Sequence, residues 1–300
     1  MITEFKKSTS LIWKNAVLML LLIFWSSVGC SIQKLAVGAT SGIVDNAIEV
    51  LYENSDLEFA EDAIPGSIVL IDGLIRTDPK NKDVLLQGVG TYTGYALGFL
   101  EDLEDKERAI NNYRKAKDYG LQMLSLDSKF KGKLNSSIAE LESALDKADV
   151  SDVPYLFWAA NAWGSYIKLN LANDVRAAAD IGKVDAIMKR VTELDEDFYF
   201  GGAYMVLGVM EIERGIAGRP ERAKEYFEKA MEISEGKFLL IPVLYARHYA
   251  VGMFDEELFD ELLKKVVEAP DDHLPAFMLH NAIAKKKAKY YISMKDEWFN

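Results

Sequence analysis

The chain has 300 residues, half of them hydrophobic and 27% charged, with a formal net charge of −12. Such a composition buries a large core and excludes a disordered chain. An acidic surface without a Lys/Arg-rich stripe repels phosphate backbones, so nucleic acid is not an expected partner. The single cysteine, Cys30, excludes an intrachain disulfide and a thiolate metal site.

In chain order, Lys6, Lys7 and Lys14 precede an unbroken apolar run, Ala16 to Trp25, and then the small residues Ser26-Ser27-Val28-Gly29-Cys30. A basic start, a short apolar run and a small-residue exit describe a secretory signal peptide over residues 1–29. The competing reading is an uncharged transmembrane anchor, because no charge falls between residues 15 and 33. The position of Cys30 at the end of the run favours the signal. Ser27-Val28-Gly29-Cys30 resembles the lipobox of bacterial lipoproteins, with Ser27 standing where leucine is usual. That resemblance implies acylation at Cys30, a lipidated tether over 30–35 and a body over 36–300 held at the membrane by its lipid.

From Ala36 onward apolar residues recur at three and four. Val184, Ile187, Met188, Val191 and Leu194 form one stripe, and Leu258, Phe259, Leu262, Leu263, Val266 and Val267 another. Turn signals cut the chain roughly every twenty residues, at Asp78-Pro79, Lys131-Gly132, Asp152-Val153-Pro154, Gly218-Arg219-Pro220, Gly236 and Pro270. The expectation is an all-α body of ten to twelve helices paired as antiparallel hairpins. Longer connections are expected only at Asp102 to Lys106 and Ser128 to Ser136.

Ala109-x3-Tyr113-x2-Ala116 and Ala223-x3-Phe227-x2-Ala230 match the second helix of a tetratricopeptide repeat. Leu207-Gly208 supplies a first-helix pair, and Ser67, Ile71, Leu74 and Asp78-Pro79 a weaker copy. Degenerate copies predict a single compact bundle of tetratricopeptide-like hairpins rather than a regular superhelix. Gly90, Gly94 and Gly98 fall on one helix face, where close helix packing is expected to explain them.

Sites of chemistry are sparse. Gly88-x-Gly90 lacks the spacing of a dinucleotide loop, and no nucleotide, nucleophile-elbow or metalloprotease motif occurs. No catalytic residue, metal or cofactor is expected. Glu101 to Asp105 reads as a solvated turn. The informative excess is aromatic: Tyr155, Phe157, Trp158, Trp163 and Tyr166 on one helix, Phe198, Tyr199, Phe200 and Tyr204 on another. They serve either as plain packing or as the wall of an apolar cavity with a few polar anchors. On the second reading Tyr155, Trp158, Asn161, Tyr204, Arg247 and Asn281 are the candidate ligand-binding residues, with Trp158 in the wall and Trp163 in the packing.

Phe157-Trp158-Ala159-Ala160-Asn161-Ala162-Trp163-Gly164, Glu193 to Glu196, Gly218 to Ala230 and Leu279-His280-Asn281-Ala282-Ile283-Ala284 together resemble the TatT family, tetratricopeptide lipoproteins associated with TRAP (tripartite ATP-independent periplasmic) transporters. The resemblance runs from about Ala36 to Phe299. It implies a non-enzymatic, periplasm-facing envelope protein that self-associates, a trimer among the options. It also implies a periplasmic solute-binding protein as partner and a hydrophobic or amphipathic small molecule as cargo. The alternative is a structural tetratricopeptide scaffold lipoprotein of the cell envelope.

Overall fold

The computed structural model describes residues 33–103, 106–171 and 175–299, of which 175 and 176 are described in backbone only. Cys30 and the signal-like segment lie outside these residues. Among the described residues the chain is all-α: 13 helices and no strand. They are α1 (33–52), α2 (Leu57–Thr77), α3 (Lys82–Tyr95), α4 (Glu107–Ser125), α5 (Ile138–Leu145), α6 (Val153–Asn170), α7 (Ile181–Leu194), α8 (Phe198–Glu213), α9 (Pro220–Ile233), α10 (Leu240–Leu244), α11 (Glu256–Glu268), α12 (Met278–Ser293) and α13 (Lys295–Phe299). Two of them continue as π-helical turns, α3 through Ala96–Leu100 and α10 through Tyr245–Ala250.

Local chemistry sets the helix starts. Asp56, Asn81, Ser137 and Asp255 each accept a backbone N–H from the first turn of α2, α3, α5 and α11. Pro220 occupies the first position of α9, where its missing N–H has no partner to lose. Gly218 in the preceding turn is obligatory, since a Cβ there would stand 2.1 Å from the Glu211 carbonyl oxygen. The Glu211 carboxylate closes the same turn by accepting the Arg219 N–H at 3.0 Å.

Packing follows the repeat signatures. Ala109, Tyr113 and Ala116 on α4 and Ala223, Phe227 and Ala230 on α9 are all fully buried. α4 crosses α6 so closely that a Cβ on Gly120 would meet the Ala159 Cα at 2.9 Å. The stripes of α7 and α11 face inward, with Val184, Ile187, Met188 and Val191 buried on one and Phe259, Leu262, Leu263 and Val266 on the other. Two apolar clusters result. One runs from α1 to α8 around Phe157 and Trp163, and the other joins α9 to α12, with parts of α2, α3, α4 and α8, around Phe227, Phe238 and Phe259. Each large buried apolar side chain contributes about 1.5–3 kcal/mol, and the two clusters hold the hairpins around the space between them.

Two expectations about the chain change here. The connection between α6 and α7 is also long, because α6 ends at Asn170 and α7 begins at Ile181. The acidic turn after α3 is not simply solvated. Glu101 is buried and bonded to Lys168, and Lys287, itself only 1% exposed, reaches Asp102 at 2.5 Å. Partners from α6 and α12, distant in sequence, carry these carboxylates inward.

Candidate functional site

Between α1, α2, α3, α6, α8, α10 and α12 lies a cavity of about 1270 Å³ of empty volume, its opening included. Its walls are mostly apolar, as ligand pockets are. α6 contributes Trp158, Asn161, Ser165 and Lys168, spaced three, four and three residues apart and therefore along one stripe. From Trp158 to Lys168 that stripe runs ~15 Å at 1.5 Å per residue.

α3 forms another wall through Gly90, Gly94 and, in its π-helical extension, Gly98. These glycines do not mark one tight helix contact. A Cβ on Gly90 or Gly94 would meet nothing within 4 Å, and only Gly98 is approached closely, by Ile283. At Gly90 and Gly94 the missing side chains create space, whereas Gly98 does mark the close approach of α12. Glycine in a helix interior costs about 1 kcal/mol relative to alanine, and the cavity is what that cost leaves open.

Tyr199 enters from α8. Tyr199, Phe200 and Gly201 have φ of 50°, 60° and 72°, a left-handed turn at the start of the helix. Each of the two non-glycine residues costs about 1–2 kcal/mol in that conformation, and such strain gathers at functional sites. The turn sets the Tyr199 ring against Trp158, Phe157 and Phe238 at centroid distances of 5.0, 5.4 and 5.4 Å. Its hydroxyl lies 2.9 Å from His280 Nε2 on α12.

Burial pushes the Tyr199 hydroxyl well above its usual pKa and the His280 imidazole down to about 4, so both are neutral. A neutral imidazole that accepts the tyrosine proton at Nε2 carries its own proton on Nδ1. The opposite tautomer would orphan both the tyrosine O–H and the Nδ1 lone pair. His280 Nδ1 and Thr93 Oγ1 are buried without a hydrogen-bond partner, and both residues line the cavity. Buried polar atoms left unpaired are uncommon and call for an explanation.

Lys168 is the one charged side chain on the wall among the described residues. Its ammonium bonds Glu101, whose other oxygen accepts the Tyr113 hydroxyl at 2.5 Å. Burial pushes the Glu101 carboxyl up, but the Lys168 and Lys287 cations outweigh it and hold the group well below the usual carboxylate range.

Of the six candidate residues read from the sequence, Trp158 and Asn161 line the cavity and four sit elsewhere. Tyr155 is turned away from the cavity, donating to Asp83 at 3.2 Å with Lys82 over its ring. Tyr204 donates to Glu196 and packs against Tyr226. Arg247 stacks on Trp298 at 4.2 Å. Asn281 is fully buried, accepting the Leu239 N–H and donating to the Lys237 carbonyl, both at 3.0 Å, and so fixes the start of α10 to α12. Trp163 belongs to the apolar core. Wall residues outside that set of six include Tyr199, His280, Thr93, Ser165, Lys168 and the glycines. Ser165 and Lys168 follow Trp158 at helical spacing, a usable signal. Tyr199 belongs to the aromatic excess of its own helix, whereas His280 comes from a third helix and leaves no local signal.

The family model described as TRAP transporter T-component matches residues 53–299 of this chain. The chain belongs to that family. Membership makes it a component of a TRAP transport system, associated with the cell envelope and with transport rather than with a known enzyme class. No curated protein matches the chain. Among the described residues no helix is long and apolar enough to cross a membrane.

Proposed function

We propose that this T-component is a non-enzymatic binding and hand-off module. It is tethered at Cys30 to a bacterial membrane, facing the periplasm. There it holds a hydrophobic or amphipathic small molecule in its cavity and exchanges it with a TRAP-type periplasmic solute-binding protein. The observation that carries the reading is the cavity itself: a mostly apolar space kept open by helical glycines and a strained turn, with a few polar groups along one wall. Open space of this kind forfeits packing, and a protein built only to scaffold others would gain stability by filling it.

The test is transfer between purified partners. A TRAP-type periplasmic solute-binding protein is loaded with a fluorescent apolar probe and mixed with the T-component in vesicles. Movement of the probe to the T-component, abolished when Gly94→Leu fills the cavity, supports hand-off. Stable association with the partner and no movement of probe would favour the scaffold.

A further inference from the structure

The cavity has a chemical polarity that narrows its cargo, given the reading that it is a ligand site. Trp158 stands at one end of the α6 stripe against Tyr199 and Phe157, and Lys168 at the other, with Asn161 and Ser165 between them. We infer that the cavity takes an amphiphile with an uncharged polar end, a hydroxyl, ester or amide. That end is held along Asn161, Ser165 and Lys168, and the apolar part runs towards Trp158.

The charge balance decides against an ionised head. Lys168 would attract a carboxylate or phosphate if it were free, but its positive charge is already matched by Glu101. The next cation inward, Lys287, is matched by Asp102. Beyond them His248 is bonded to Glu213 at 3.0 Å, with its imidazole pushed towards the neutral form by burial. Among the described residues an anion entering this end would therefore be a surplus buried charge, and the wall itself carries no carboxylate to match a cation.

Hydrogen-bonding capacity, by contrast, is in surplus. An ammonium has three N–H donors, and one of those on Lys168 goes to Glu101. The Asn161 carboxamide offers a donor and an acceptor. Neutral groups that donate and accept fit this set, and a bare charge does not.

The test uses the full chain in phosphatidylcholine nanodiscs at pH 8, carrying the apolar dye 1-N-phenylnaphthylamine. Dye is displaced with 1-monomyristoylglycerol, tetradecanoate or tetradecyltrimethylammonium, each corrected with empty discs. The expected result is displacement by monomyristoylglycerol at a concentration at least tenfold below either ion. Tetradecanoate or the ammonium ion equalling the neutral lipid would overturn the inference while leaving the cavity a ligand site. Failure of the dye and of all three lipids to bind would remove the site and the inference together. Glu101→Gln adds a gain-of-function arm, because it keeps hydrogen-bonding capacity but leaves Lys168 unmatched. Tetradecanoate should then bind at least tenfold better than to the wild type. An unchanged tetradecanoate affinity, with dye binding intact, would refute the role given to charge matching.

Discussion

Replacing Gly90 and Gly94 together by alanine should make the protein more stable. Both sit inside α3, where glycine is about 1 kcal/mol less favourable than alanine, and the added methyl groups meet nothing within 4 Å. The pair should gain about 1–2 kcal/mol, raising the thermal midpoint by roughly 3–6 °C for a domain of this size. Gly120→Ala has the same propensity gain but drives its methyl into the Ala159 backbone at 2.9 Å. Overpacking of that kind costs about 1–3 kcal/mol, so this variant should melt at or below the wild type. Differential scanning calorimetry of the three proteins checks the contrast. A lowered midpoint in Gly90→Ala/Gly94→Ala would mean that another helix covers that face, and the cavity would lose its wall.

Trp163→Ala should destabilise by about 3–5 kcal/mol, as for a core aromatic, and Trp158→Ala by clearly less, because one side of its ring faces the cavity; urea titration of both measures the difference. Ala230→Leu should lower stability by about 1–3 kcal/mol, since Ala230 is fully buried where α9 meets α8, and an unchanged midpoint would count against that hairpin contact. The buried His280 gives a pH dependence with a definite sign. Its imidazole titrates at about 4 in the folded chain and at 6.5 as an ordinary histidine. The unfolded chain therefore takes up the proton first, and stability should fall by about 3 kcal/mol between pH 6.5 and 4. His248 acts in the same direction, so the His280 share is the part that His280→Gln flattens, and an identical pH profile in that variant would refute the assignment.

The all-α body was legible because a helix face repeats every few residues, so α7, α11 and the alanine–aromatic signatures of α4 and α9 announce themselves locally. The cavity was legible only in part. Trp158 and Asn161 are found from one helix, but an aromatic excess has the same signature whether rings fill a core or face a void, so the sequence does not separate Tyr155 and Tyr204 from them. The spacing of the glycines does not say what faces them, and only the arrangement of α1, α6 and α12 tells a close crossing from an open wall. Buried charges were hidden for a similar reason. Glu101 and Asp102 look like a solvated turn until Lys168 and Lys287, 67 and 185 residues away, arrive beside them.

The central claim, that this T-component carries an apolar molecule against Trp158, is tested most directly by tryptophan quenching. A monoacylglycerol brominated along its chain should quench the protein's fluorescence saturably, and Trp158→Phe should remove that quenching while still binding the lipid. Quenching of equal depth in Trp158→Phe, or none in the wild type at saturating lipid, would contradict it.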